Sequence, residues 1–226
     1  MSLASDAVLI AKKDMRIEMR SRIVFAQVLP FGGIVLLLFA FALDTDRGVL
    51  PIVAPGLFWV TVTLSALLAV SRSFAIEAEH GALYALRLSG LDGAAIFLGK
   101  AAAIVLQLLV LEVVLATGVF VLYDVHVPGE AVLAVASVAV AATVAIAAIG
   151  TVYGVLVAGI RARETLVPLL VLPAVTPLLL AASRSFEYAI DNDLSTSLRW
   201  GSLVGVITSV CVMVGVVAFG PLLEES

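Results

Sequence analysis

"EAEHGALYALRLSGLDGAAIFLGK" runs from Glu77 to Lys100 and gathers Glu77, Glu79, Arg87, Asp92 and Lys100 with His80 and four glycines. Apolar runs of membrane length flank it on both sides. Its second half imitates a phosphate-binding loop. That loop requires G-x-x-x-x-G-K followed by Ser or Thr: backbone amides cradle phosphate, the Lys reaches the terminal phosphates and the hydroxyl holds Mg²⁺. Gly93 and Gly99 have five residues between them, not four, and Ala101 follows Lys100, so there is no hydroxyl for the metal. The stretch reads as a polar connection between two spans, and ATP does not bind there in that way.

Outward from this connection the chain is apolar. Of 226 residues, 62% are apolar and 13% charged, and the mean hydropathy is +1.19. Soluble domains have about 45–50% apolar and about 25% charged residues, so the bilayer is the expected solvent. Six runs reach the roughly 20 residues needed to cross hydrocarbon: Ile23–Leu43, Val49–Ser71, Ala101–Tyr123, Ala131–Ile160, Leu166–Ser183 and Gly201–Leu223. All are expected as helices, because lipid offers no partner to an unpaired amide. The fourth exceeds what a span requires and should tilt or project. Pro168, Pro173 and Pro177 predict a kinked fifth span, its freed carbonyls buried in protein.

Lys and Arg placement sets the orientation. Lys12, Lys13, Arg16, Arg20, Arg22, Arg72, Arg87, Lys100, Arg161 and Arg163 fall on one side, ten in all; Arg47, Arg184 and Arg199 fall on the other, among seven acids. Both termini and the opening stretch are therefore expected in the cytoplasm. The net charge of −4 carries no message about nucleic acid, since the acids sit mainly outside. The first apolar run is too long, and its charged prelude too long and amphipathic, for a cleaved signal peptide. Cys211, the lone cysteine, lies within span six and reads as a small packing residue.

Domain organisation is expected to be one membrane domain over residues 1–226. Residues 1–22 form an interfacial helix: Ala4, Val8, Ala11, Met15 and Met19 make an apolar stripe, with Lys12, Lys13, Arg16 and Arg20 on one flank and Asp14 and Glu18 on the other. Such a helix lies in the headgroup layer with its cations toward lipid phosphate, or serves as a plain positive-inside anchor. Residues 72–100 form the loop between spans two and three. Arg72–Leu88 has helical spacing, Ser89-Gly90 signals a turn, Asp92 is a candidate N-cap, and Lys100 is expected to snorkel to the headgroups. A charged helix beneath a membrane domain suits the docking of another protein. The third outer loop, about Arg184–Trp200, mixes Phe186, Tyr188 and Trp200 with acids, as an interface belt or a lid.

Inside the membrane, Glu112 stands mid-way along span three with Gln107 before it. A mid-bilayer carboxylate costs several kcal/mol unless protonated, paired or wetted, so it is a functional candidate. The alternatives are a protonated bridge to a neighbouring helix or a tie to the kinked fifth span. His80 and His126 are the only histidines. A heme ligand needs an imidazole facing a pocket, and His126 at least lies on the outer face, although lone loop histidines are usually solvated. There is no CxxCH, and no tryptophan-rich heme-handling segment: Trp59 and Trp200 are the only tryptophans. Gly150-x-x-x-Gly154 and Gly201-x-x-x-Gly205 suggest close helix contacts. HExxH, paired intramembrane carboxylates, a Ser/His constellation and a metal-ligand cluster are missing from the sequence, so no catalytic or metal residue is assigned and no enzyme is expected.

Phe74-x-x-Glu77-x-Glu79-x-Gly81-Ala82-Leu83 followed by Gly99-Lys100 resembles the corresponding stretch of the CcmB family, heme exporter protein B. So do Lys13-Asp14-x-Arg16-x-Glu18-x-Arg20-Ser21-Arg22, the proline-rich fifth span and the closing Leu222-Leu223-Glu224-Glu225. Exporters of the wider ABC-2 type share a looser E…G…L…GK pattern. The sequence departs from the family at Gly90, where Pro is frequent, and at His80, where a basic residue is frequent. The resemblance implies an ABC-2-like permease of six transmembrane helices in the bacterial inner membrane, within the cytochrome c maturation complex. Glu77, Glu79, Gly81, Leu83, Leu86 and Arg87 would form a coupling helix seated in a cytosolic CcmA-like ATPase. ATP would then bind the partner, and heme would be a possible substrate handled largely by other subunits (CcmC-like, CcmD-like and CcmE-like proteins). It also implies a homodimer and no nucleic-acid partner. An ABC-2-type exporter for another substrate, or a proton-coupled secondary transporter using Glu112, are the other readings.

Overall fold

The computed structural model describes residues 3–22, 24–43, 49–79, 90–157 and 163–225. Helix α1 covers Leu3–Ser21; α2, Leu29–Leu43, follows a π-helical turn at Val24–Val28; α3 covers Val49–Glu79 and α4 Gly93–Leu122. A 3₁₀ turn at Gly129–Ala131 leads into α5, Val132–Leu156, followed by α6, Arg163–Ile190, and α7, Leu194–Glu225. No strand occurs among the described residues. Six segments are long and apolar enough to cross a membrane: Ala26–Leu43, Val49–Ala75, Gly93–Leu122, Gly129–Leu156, Leu166–Ile190 and Leu194–Glu224. The chain is a six-span helical membrane protein.

α5 is the hub, packed on α3, α4, α6 and α7. From Ala145 to Thr151 every residue is buried, so this part of the helix is enclosed on all sides. Small side chains allow that approach, because in lipid the helices associate by close packing rather than by escaping water. The sequence left open which helix Gly150 and Gly154 meet; it is α3. A Cβ on Gly150 would stand 2.7 Å from Val70 Cγ2, and one on Gly154 would enter the Phe74 ring. Gly201 packs on Val138 of α5, whereas Gly205 faces open space, so only half of that motif is a contact. Large apolar side chains such as Phe41, Ile52, Leu133 and Val217 point outward, as a lipid-facing surface requires.

Several helices outrun their apolar cores. α7 has 32 residues, about 48 Å at 1.5 Å per residue, against roughly 30 Å of hydrocarbon. The expected outer loop at 184–200 is therefore mostly helix, reduced to the turn Asp191–Asp193 between α6 and α7. Local chemistry makes the turn: Asn192 takes a positive φ of 62°, and Asp193 caps α7, accepting from Ser195 Oγ at 2.9 Å and from Thr196 N at 3.1 Å. Hydrogen bonds from Thr196, then Ser195, hold the Asp193 carboxyl below its usual range. Ser185 and Ser197 exchange hydroxyl-to-carbonyl bonds of 2.9 and 2.8 Å across the same hairpin. Phe186 belongs neither to a belt nor to a lid; it packs against Phe58 and Trp59 at ring distances of 5.8 and 5.3 Å.

α6 runs unbroken as helix through Pro168, Pro173 and Pro177. The residues whose carbonyls Pro173 and Pro177 free lie on the outer side of the helix. Leu169 and Pro173, whose carbonyls lose partners to the rings at 173 and 177, are exposed. Two prolines four residues apart share one face, and that face is the outer one.

Candidate functional site

The polar end of the molecule, where α1 and both termini lie, is built on Gly99 and Lys100. Gly90 adopts φ +68° and turns the chain. Asp92 then caps α4, as the sequence suggested, accepting from Ala94 N at 2.9 Å. About two turns later α1 lies on α4: a Cβ on Gly99 would meet the Ala7 carbonyl and Ile10 Cβ, both at 2.6 Å. Lys100 does not snorkel. It is 1% exposed, with Nζ 3.3 Å from Asp14 Oδ2 on α1 and 4.8 Å from the centroid of the Phe74 ring on α3. A buried ammonium needs such a carboxylate, and the ring face adds cation–π attraction. The half phosphate loop is thus a seat for a helix: Gly admits the backbone and Lys grips it.

α1 consequently has three faces. Asp6, Ile10 and Asp14 turn inward and are buried. Of the sequence stripe, Ala4, Val8 and Met19 are exposed and Ala11 and Met15 half-buried, on the face turned away from α4. Lys12, Arg16 and Arg20 are exposed, and Lys13 Nζ lies 2.8 Å from Asp14 Oδ1. What the sequence did not reveal is that Asp14 is the partner of Lys100; an acid on the flank of an apolar stripe gives no sign of which way it faces.

The charged connection is less accessible. Glu77 and Glu79 lie in the last turn of α3, which continues past its apolar core to Glu79. Their side chains, and Gly81, Leu83, Leu86 and Arg87, lie outside the described residues.

In the opposite half, a chamber of about 820 Å³ is bounded by α3, α4, α5, α6 and the α4–α5 connection. Its walls are apolar and aromatic, with Phe58, Phe120 and Phe186. Glu112 lies on one wall, 4% exposed. It accepts a hydrogen bond from Thr143 of α5, and its second oxygen has no partner among the described residues. The tie is therefore to span four, not to the proline-rich fifth span. Gln107, buried on α4, does not line the chamber: five residues place it about 140° round the helix from Glu112. His126 also lines the chamber, although its side chain is 86% exposed. Its Nδ1 lies 3.2 Å from the Asp124 carbonyl, and Asp124 has a φ of +52°.

Fold and site together define a polytopic helical membrane protein with a helix-clamped end and a chamber in the opposite half. A family model described as CcmB protein matches residues 5–226. Heme exporter protein B of Paracoccus denitrificans is 32% identical over 170 residues, 74% of this chain and 76% of that protein. The proteins of the same name from Rhodobacter capsulatus and Haemophilus influenzae are 27% and 29% identical over 202 and 216 residues, covering 89% and 94% of this chain and 91% and 92% of theirs. The chain belongs to the CcmB family.

Proposed function

We propose that the chain is the non-catalytic permease subunit of an ABC-type heme exporter in the bacterial inner membrane, with both termini cytoplasmic. A partner ATPase, CcmA-like, would dock on the connection between α3 and α4 and drive the conformational step, in a complex with CcmC-like, CcmD-like and CcmE-like proteins and two copies of this chain. The observation that carries the reading is the full-length likeness to proteins named heme exporter protein B. The extension of α3 beyond its apolar core supports the coupling role, since it delivers Glu77 and Glu79 past the span on a stiff helix. The Glu112 oxygen that has no partner among the described residues supports proton-coupled transport as a second reading.

Affinity purification from native membranes tests the proposal. The chain should bring down an ATPase, and Glu77→Lys with Glu79→Lys should release it or uncouple hydrolysis while membrane insertion persists. Truncating one partner of a desolvated charge contact costs about 2–5 kcal/mol. A double variant that keeps its ATPase and full cytochrome c maturation would remove this connection from the mechanism; proton-dependent transport without any ATPase would favour the second reading. Cysteines placed at Glu130 and Asp191 should react with an impermeant reagent in intact cells, and reaction at Arg163 instead would invert the topology.

A further inference from the structure

The chamber has two polar residues in an otherwise hydrocarbon lining, Glu112 and His126. They are 14 positions apart along the chain, on α4 and on the connection beyond its end. The space between them, about 820 Å³, lies within the roughly 300–1,000 Å³ typical of sites for organic ligands. Phe58 and Phe186 supply flat walls, and Phe120, Val113, Val132 and Val140 are both lining and exposed, so the chamber opens sideways between α4 and α5. A ligand entering there would arrive along an apolar surface.

His126 has the geometry of a prepared metal ligand. A ring nitrogen that donates to a backbone carbonyl fixes the tautomer and leaves the other nitrogen as a bare acceptor, the arrangement found behind most metal-bound imidazoles. Nδ1 stands at that distance, 3.2 Å, from the Asp124 carbonyl. The left-handed φ of Asp124 places its carbonyl within that reach two residues before the ring, and Asp tolerates this conformation better than most residues. Nε2 is left to bind. An apolar slot with aromatic walls and an imidazole at its edge suits a flat, hydrophobic metallomacrocycle, whose iron takes a histidine as axial ligand.

We propose that this chamber is a heme-binding site of this chain, with His126 Nε2 as an axial ligand to the iron. The inference rests on the heme-export reading above. Heme enters as substrate, its apolar ring in the slot and its iron held at the edge. Glu112 bounds the site from α4.

The test uses the purified full-length chain in nanodiscs, titrated with ferric heme and separately with metal-free protoporphyrin. Wild type should bind heme saturably, with a Soret band displaced from that of free heme. His126→Ala should lose that signature and weaken binding by at least the roughly 10–100-fold that loss of an outer-shell partner alone costs, and added imidazole should restore the spectrum. Protoporphyrin has no iron to ligate, so it should bind both proteins equally. Ala136→Trp, which fills the slot from an exposed lining position, should exclude both ligands. An unchanged heme spectrum and affinity in His126→Ala would overturn the ligand assignment, and unaltered binding in Ala136→Trp would overturn the site. So would a lipid acyl chain retained in the chamber of wild type and not displaced by heme. ATPase co-purification and cytochrome c maturation, assayed on the same wild-type preparation, keep the two proposals apart. If both are normal while heme fails to bind, the site is wrong and the export reading stands; if both are lost, that reading falls as well.

Discussion

The two halves of this membrane domain are packed by different rules. At the end carrying the termini, four helix glycines are filled by their neighbours: Gly93 lies against the Gly220 backbone, Gly99 against Ala7 and Ile10, Gly154 against the Phe74 ring and Gly215 against the Phe97 ring. In the opposite half Gly56 and Gly129 face open space, although Gly201 is filled by Val138, and an 820 Å³ chamber separates helices that elsewhere touch. Lipid gives helices no hydrophobic reason to associate. A small residue opposite a large one therefore closes a contact. One half is consequently a clamp and the other a container.

The clamp should be the more sensitive. Lys100→Ala strips Asp14 of its buried partner, and breaking such a pair costs about 3–5 kcal/mol. The loss should fall toward the low end, because Lys13 also reaches Asp14. Replacing both groups together, Lys100→Met with Asp14→Leu, should recover most of it, since a buried pair and a hydrophobic substitute are often of similar worth. Denaturation in detergent, with proteolysis of α1 as a local probe, measures both. A double variant as unstable as Lys100→Ala would mean that Lys100 acts through something other than this pair.

Next come paired glycine substitutions. Gly215→Ala should destabilise by about 1–3 kcal/mol through overpacking, because the Phe97 ring it would strike is fully buried. Gly56→Ala meets nothing and should instead raise stability by roughly 0.4–1 kcal/mol, through lost freedom in the unfolded chain. Equal effects of the two on the melting temperature would dissolve the contrast between clamp and container.

In the container, single polar contacts are worth less. Thr143→Val removes the hydrogen bond to Glu112, an interhelical bond of the kind that averages about 0.6 kcal/mol in membranes. Glu112→Gln keeps shape and hydrogen-bonding capacity while removing titration, so the protein should accumulate normally yet support less cytochrome c maturation. Full maturation at normal level would leave Glu112 only the packing role.

The smallest effect belongs to the turn at Asp193. Hydrogen bonds hold its carboxyl below the ordinary value, so its contribution is present above the unfolded pKa and fades as pH falls through the folded one. Melting of wild type and Asp193→Asn should differ slightly at neutral pH and converge in acid. A gap that widens on acidification would contradict the capping geometry.

Hydropathy alone located six spans and their order, because twenty apolar residues in lipid have only the helix available to them. Asp92 as a cap was legible too, since a short acceptor before a helix acts on the next turn. Lys100 and the segment 184–200 were misread for one reason: a lysine near a span's end and aromatics among acids normally meet water or headgroups, and the sequence does not show what a neighbouring helix offers. The sequence marks His126 as an outer-face histidine, but its place on a chamber depends on α3, α5 and α6 arriving from elsewhere in the chain.

The sequence by itself determined the solvent, the number of spans, the motif Gly99-Lys100 and the family resemblance, all of which rest on local composition and spacing. Only the tertiary structure decided that Lys100 grips Asp14 across 86 residues, that Glu112 ties to Thr143 and not to the proline-rich span, and that a chamber opens beside it. Those outcomes depend on which helix faces meet. In a chain whose helices are apolar all round, periodicity marks no inward face, so the pairing is settled by the fit of small residues against large ones.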